Sequence, residues 1–257
     1  MDIKMFVSDL DGTLLNEHSE ISKQTADAIK FAQNNGIKFT IATGRTWNTA
    51  TPLIKKFGIE CDFILLNGAE FRDSNGKVIF KQSMSNEKAT QIFNLLCQLN
   101  IDFEINTDKG DFSTDTDLCK TAFPMPEINI LFENKPTIQK IFAFSNDIDK
   151  LEKINNILYQ LGDLSITSSA PWNIEITSSK AKKGFMLEKA ISYYGYDKEN
   201  VVVFGDSKND ETMFKLFPHS RAMENALPFI KNMAEKVIES NTDNGVANEI
   251  RKILNRI

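Results

Sequence analysis

The stretch Ile3-Lys4-Met5-Phe6-Val7-Ser8-Asp9-Leu10-Asp11-Gly12-Thr13 decides the fold. Its first six residues form a short apolar, β-rich run, the pattern of a parallel strand buried on both faces. The run stops at Asp9, and a polar Asp/Gly turn follows. Working outward, apolar spacing through Ala26, Ile29 and Phe31 predicts a helix over 22–35, which Gly36 ends. A second apolar strand is expected over 37–42, a helix over 47–57 stopped by Gly58, and a third strand over 63–66. This alternation predicts a parallel sheet with right-handed crossovers. The same rhythm returns late in the chain. There a helix over 184–194 leads to the strand Val201-Val202-Val203-Phe204, which ends at Gly205-Asp206. A helix beginning near Asn209, a short segment at Ala222-Met223 and helices over 226–235 and 245–255 complete the reading.

Between these halves the pattern changes. Asn75-Gly76, set between extended flanks, predicts a type I′ hairpin. Ser85 opens an amphipathic helix through Ala89, Ile92, Phe93, Leu96 and Leu99. Strands are expected over 101–106, 128–132, 140–145, 164–168 and 173–177, with helices over 112–120 and 147–161. The mixture predicts an α+β module, residues 83–182, inserted into an α/β domain made of 1–82 and 183–257. Charge divides the same way. Residues 83–182 hold 9 Lys, no Arg and 14 acids, whereas the remainder is balanced at 21 of each sign.

Composition excludes several classes of function. The chain has 257 residues, 41% hydrophobic, with 30 Lys+Arg against 35 Asp+Glu. Its 19 Phe, together with many Ile and Leu, rule out a disordered chain. An acidic protein without a basic stretch is not expected to bind nucleic acid. The first residues lack the pattern of a signal peptide, and no apolar run approaches the ~20 residues of a membrane span. Cys61, Cys97 and Cys119 have no metal-type spacing and read as reduced thiols, so a cytoplasmic location is expected. His18 and His219 stand alone, which argues against a histidine zinc site or a triad.

In open parallel sheets, ligands bind at the carboxyl ends of the strands. The residues expected there are Asp9 and Asp11, then Thr43-Gly44-Arg45, then Asn67-Gly68, and finally Asp206, Asn209 and Asp210. Acids gathered without histidine favour a hard, oxygen-seeking cation, Mg2+ rather than zinc. Asp9 and Asp11 share one side of a strand end. One carboxylate can attack phosphorus while the other serves as general acid and base. Thr43-Gly44-Arg45 offers a hydroxyl and backbone N–H groups as a phosphate cradle. Lys182-Lys183-Gly184 offers a cation. Taken singly, each is also an ordinary capped turn or a solvated lysine pair. Their convergence on one rim carries the weight.

In order and spacing these motifs resemble the haloacid dehalogenase-like (HAD) phosphatase superfamily. Asp9-Leu10-Asp11-Gly12-Thr13 is similar to its first motif, Thr43 to its second, Lys183 before Gly184 to its third, and Gly205-Asp206-Ser207-Lys208-Asn209-Asp210 to its fourth. The position of the insert, with Asn225-Ala226 and Asp243-Asn244-Gly245-Val246-Ala247, resembles the Cof-type, type IIB capped branch. Glu224 departs from the pattern, which has glycine there. The resemblance implies a Rossmann-like parallel-sheet core with an α+β cap domain. It also implies Asp9 as nucleophile and Asp11 as general acid/base, with Thr43 and Lys183 on the transferring phosphoryl group. Mg2+ would be held by Asp9, the backbone carbonyl of Asp11, Asp206 and Asp210. Gly44, Arg45, Asn67, Gly68 and Asn209 would contact substrate.

The expected activity is therefore Mg2+-dependent hydrolysis of a small phosphorylated metabolite, most plausibly a sugar phosphate, through an aspartyl-phosphate. A phosphomutase of the phosphomannomutase type and a non-catalytic phosphometabolite-binding regulator are the alternatives. The insert should act as a cap that sets leaving-group specificity, with Trp172, Asn173 and Glu175 as candidates. Neither nucleic acid nor membrane is expected as a partner, and the protein should be a monomer or a weak homo-oligomer.

Overall fold

The computed structural model describes residues 2–133, 135–168 and 170–255. Met1, Arg256 and Ile257, assigned to the core domain from sequence, and Asn134 and Ser169 of the insert lie outside the described residues. The chain opens with β1 (Met5–Ser8), α1 (Lys23–Asn34), β2 (Lys38–Ala42), α2 (Trp47–Lys55) and β3 (Asp62–Leu65). Each helix starts at a hydroxyl cap: Ser22 accepts from Thr25 N–H, and Thr46 forms a reciprocal capping box with Thr49. The chain then turns back through β4 (Glu70–Arg72) and β5 (Val78–Lys81).

The insert contributes α3 (Asn86–Gln98), β6 (Asp102–Thr107), β7 (Gly110–Ser113), β8 (Phe123–Pro124), α4 (Ile128–Glu133), β9 (Ile138–Phe144), α5 (Ile148–Leu161), β10 (Leu164–Thr167) and β11 (Asn173–Ser178). The first rhythm then resumes with α6 (Lys183–Tyr194), β12 (Val201–Gly205), α7 (Glu211–Leu216), β13 (His219–Met223), α8 (Pro228–Met233), β14 (Lys236–Ile238) and α9 (Gly245–Leu254).

Two sheets result. One has the order β14-β13-β12-β1-β2-β3-β4-β5 and is parallel from β14 to β3. Its central strand β1 is buried throughout, with Met5, Phe6 and Val7 fully enclosed. The other has the order β10-β11-β9-β6-β7-β8 and is mostly antiparallel. The chain divides into two compact units: residues through Phe80 together with those from Lys182 onward, and Lys81–Ala181 between them. The insert has its own core, in which Ile92, Phe93 and Leu96 of α3 and Leu151, Ile154 and Leu158 of α5 cover one face of its sheet. Among the described residues no helix is long and apolar enough to cross a membrane.

Several local expectations are corrected. Residues 128–132 are helical, not a strand, with only Leu131 of α4 buried. Four apolar residues among five, broken by Asn129, are too few to separate the two periodicities. No helix forms over 112–120. There β7 pairs with β6, and the Asp115 carboxylate then accepts from Asp117 and Leu118 N–H, holding a turn against helix formation. A strand, β14 (Lys236–Ile238), follows α8 in a stretch to which the sequence reading assigned no element. At Asn75-Gly76 the chain does reverse, but not through a type I′ turn. Gly76 N–H bonds to Asp73 O at 2.9 Å and only Gly76 of the pair has positive φ, so this is a type I turn with a left-handed glycine after it.

Candidate active site

The parallel sheet delivers its polar loops to one edge. Asp9, the residue after β1, is still in the ladder, its N–H donating to Phe204 O of β12 at 3.0 Å. Residues 10–14 then make one wide turn, closed by Leu15 N–H on Leu10 O at 2.9 Å. Gly12 is needed in it: its φ is +81°, and a Cβ there would stand 2.6 Å from Asp206 Oδ2. The same turn aims Thr13, whose hydroxyl donates to Asp206 Oδ1 at 2.7 Å.

Lys183, the first residue of α6, is wholly buried. Its ammonium donates to Asp9 Oδ1 at 2.6 Å and to Asp210 Oδ1 at 2.7 Å. Asp210 in turn accepts from the backbone N–H groups of Asp206 and Ser207, both at 3.0 Å on Oδ2, which folds the loop after β12 around its own carboxylate. One oxygen each from Asp9, Asp206 and Asp210 lies within 4.8 Å of the others.

The electrostatics follow from this crowding. Burial, with the Asp210 and Asp206 charges adding to it, holds Asp9 well above the usual carboxylate range even though Lys183 opposes the shift. Asp206 is pushed up to about 6, by burial first and then by the Asp210 charge. Burial acts to lower Lys183, but Asp210 and Asp9 outweigh it and hold the ammonium above its ordinary value. One cation facing three acids leaves the cluster short of positive charge.

The second and third loops join this edge through their backbones. Thr43 is buried, and its hydroxyl accepts from Arg45 N–H at 3.2 Å. Helix α2 is capped by Thr46, so Thr43 and Gly44 lie in the loop before the helix rather than at its cap. Asn67 N–H donates to Thr43 O at 3.0 Å, and the Asn67 Oδ1 accepts from Asn209 Nδ2 at 3.2 Å. Gly68 has φ +99°, and a Cβ on it would fall 2.3 Å from the Lys182 carbonyl carbon. The loop after β3 thus lies against the backbone that launches Lys183.

Of the residues expected from sequence, Asp9, Lys183, Asp206 and Asp210 form one cluster, and Thr43, Asn67 and Asn209 are linked beside it. The Asp11 carboxylate is not in the acidic cluster. It is half-exposed and held by two bonds from Arg45, and this hydrogen bonding to Asp11 keeps the guanidinium above its ordinary pKa. Sequence reasoning gave no role to Asn225 or Asn241. Asn225 Nδ2 donates to Gly12 O at 2.8 Å and its Oδ1 accepts from Asn241 N–H at 3.1 Å, while Asn241 Nδ2 donates to Leu15 O at 2.7 Å. Two asparagines from the end of the chain thereby pin the loop that follows Asp9. Asn225 is marked in the sequence only through the Asn225-Ala226 resemblance, and Asn241 not at all. Glu224 does not disturb this: the turn closes through Ala226 N–H on Met223 O at 2.9 Å, without positive φ at position 224.

Comparison with known proteins bears on the same edge. Residues 6–250 match the family described as haloacid dehalogenase-like hydrolase. The chain is 32% identical to the 5-amino-6-(5-phospho-D-ribitylamino)uracil phosphatase YwtE of Bacillus subtilis, with 98% of each chain covered. It is also 32% identical to YcsE, a phosphatase of the same name from that organism, with 98% of this chain and 96% of the relative covered. Among solved structures, a haloacid dehalogenase-like hydrolase from B. subtilis superposes with a TM-score of 0.88 at 26% identity, covering 97% of this chain and 99% of that one. The match spans both units and every loop that carries the acidic cluster, and the chain belongs to the haloacid dehalogenase-like hydrolase family.

Proposed function

We propose that the protein is a Mg2+-dependent phosphatase that hydrolyses small phosphorylated metabolites, sugar phosphates foremost, through an aspartyl-phosphate on Asp9. The observation that carries this reading is the Lys183 ammonium set between Asp9 and Asp210 at 2.6 and 2.7 Å, at the carboxyl ends of β1 and β12. A buried lysine so placed keeps Asp9 oriented and meets the charge of an incoming phosphoryl group.

The donor set fits the ion. Asp9, Asp206 and Asp210 offer only carboxylate oxygens, and the upward shifts of Asp9 and Asp206 are what a dication relieves. These three, with the backbone carbonyl of Asp11, would hold it. When bound, Mg2+ supplies charge neutralisation between the carboxylates and the phosphoryl oxygens. The Asp9 carboxylate attacks phosphorus and the ester oxygen leaves, taking its proton from Asp11 in its protonated form, in which one oxygen stays on Arg45 and the other turns to the leaving group. Asp11, now ionised, accepts a proton from water as that water cleaves the Asp9 acyl phosphate, which releases phosphate and restores both acids. Thr43 and the N–H groups of its loop contact the phosphoryl oxygens. Asn67, Gly68 and Asn209 line the rim. The three free thiols suit a cytoplasmic enzyme.

The test is phosphate release from a panel of sugar phosphates, nucleotides and 5-amino-6-(5-phospho-D-ribitylamino)uracil, with Mg2+, comparing wild type with Asp9→Asn. The expected outcome is turnover by the wild type that Asp9→Asn abolishes in a folded protein. Retained turnover in the variant would remove Asp9 as nucleophile.

A further inference from the structure

The turn over residues 10–14 carries Asp11, and its backbone leaves helical geometry at Asp11 (φ −83°, ψ 120°) and at Gly12 (φ +81°, ψ −5°). Without a Cβ, Gly12 sets little steric bar on rotation of the peptide that follows it. The carbonyl of that peptide is Gly12 O. Turning it over would carry Thr13 off Asp206 and move Asp11 with the turn.

What holds this peptide comes from β13 and β14, on the far side of β12 from β1. The two strands run parallel with Met223 opposite Ile238, so Asn225 and Asn241 leave the same sheet edge close together. Asn225 Nδ2 donates to Gly12 O at 2.8 Å. Asn241 N–H donates to Asn225 Oδ1 at 3.1 Å, and Asn241 Nδ2 donates to Leu15 O at 2.7 Å. One linked pair therefore grips the turn at its middle and just past its end. Leu227 N–H donates to Asp206 O at 2.9 Å, which ties the loop after β13 to the acidic cluster as well.

Stability is a weak account of this clamp. Asn225 is exposed, and a hydrogen bond within reach of water contributes at the low end of about 0.5–1.5 kcal/mol. Position is the stronger account. A general acid has to stand within hydrogen-bond reach of the oxygen it protonates, and a displacement of about 1 Å can cost about a hundredfold in rate. Arg45 fixes the carboxylate end of Asp11, and the asparagines fix the backbone that carries it.

We propose that Asn225 and Asn241 are positioning residues for Asp11, clamping the Gly12 peptide so that the Asp11 carboxyl is aimed at the leaving oxygen. The inference rests on the phosphatase reading above. In that reaction the bond from Asp9 to phosphorus forms as the bond from phosphorus to the ester oxygen breaks, and the proton of Asp11 passes to the departing oxygen. An alkoxide needs that proton to leave, whereas an acetate does not. Loosening the clamp therefore penalises alkyl esters selectively.

The experiment measures kcat/KM with Mg2+ for acetyl phosphate and for the best sugar phosphate of the panel above. Wild type, Asn225→Asp and Asn241→Ala are compared, with Tm for each. Asn225→Asp keeps the size of the side chain and the acceptor for Asn241 N–H, and loses the donor to Gly12 O. It should lower the ratio of sugar phosphate to acetyl phosphate about tenfold. Asn241→Ala loses the bond to Leu15 O and should lower the ratio several-fold. A merely structural role would depress both substrates together and leave the ratio alone. A ratio within about twofold of wild type in either variant, with or without a fall in Tm, would overturn the inference for that residue while leaving the phosphatase reading intact. Should Asn225→Asp fail to fold, the Asn241→Ala ratio decides alone. A wild type that releases phosphate from no compound would instead overturn the phosphatase reading, and the inference with it.

Discussion

Arg45 grips the Asp11 carboxylate with two bonds, Nε to Oδ2 at 2.8 Å and Nη2 to Oδ1 at 2.6 Å. Two parallel bonds fix the plane of a carboxylate as well as its position. The pair is partly solvated and adds little to stability, so its use is orientation. Arg45→Ala should leave stability within about 1 kcal/mol of wild type while lowering kcat/KM by roughly tenfold to a hundredfold. Arg45→Lys should recover only part of the loss, because an ammonium cannot match both oxygens. Steady-state kinetics beside thermal melts check this, and full recovery by lysine would show that charge alone matters.

Lys183 is the counter-ion of two buried acids, so its removal should be costly. Lys183→Met should destabilise by about 3–5 kcal/mol, because it leaves Asp9 and Asp210 facing each other unpaired. Urea unfolding reads the loss directly. An unchanged midpoint would mean that the acids become protonated at little cost.

The acidic cluster also fixes a pH dependence. Asp206 titrates at about 6 in the fold against 3.8 ordinarily, so folding favours its protonated form. Its contribution to metal-free stability is greatest below 3.8 and is lost as pH rises through about 6. Asp9 is shifted in the same direction, by burial above all. Mg2+ should offset the loss, so the rise in Tm on adding Mg2+ should be larger at about pH 7 than at about pH 5. An equal rise at both pH values would place the ion elsewhere.

Gly68 gives a test of how the loops are coupled. A methyl at this position combines left-handed strain with overlap at 2.3 Å from the Lys182 backbone. Gly68→Ala should cost at least 1 kcal/mol or so in stability and should also depress kcat by displacing Lys183. A stability loss with unchanged kcat would uncouple the loop from the lysine.

The sequence was most informative where chemistry and secondary structure coincide over a few residues. An apolar run that stops at Asp9, and another at Gly205-Asp206, are strand ends that carry acids, and the structure puts both strands side by side in the sheet. Lys183 stood out from Lys182 only through the glycine after it. Residues 128–132 misled because a short apolar run has no readable period, and 112–120 because side-chain bonds to the backbone outbid a weak helix. The Arg45–Asp11 pair and the asparagines holding the Gly12 loop were out of reach for another reason. They join positions 34 and 213 residues apart, respectively, and nothing local encodes such a meeting.

The sheet order has a consequence for how the protein is made. Strand β1 is synthesised before the other strands of its sheet yet lies at its centre, between β2 and β12. One edge of it stays open until the residues around Val201–Gly205 have been synthesised. The insert, with a core of its own, is complete well before then. The insert can therefore complete its own core while β1 still lacks one neighbour, and the segment around β1, with a bare apolar edge ending in Asp9, is the one most in need of a chaperone.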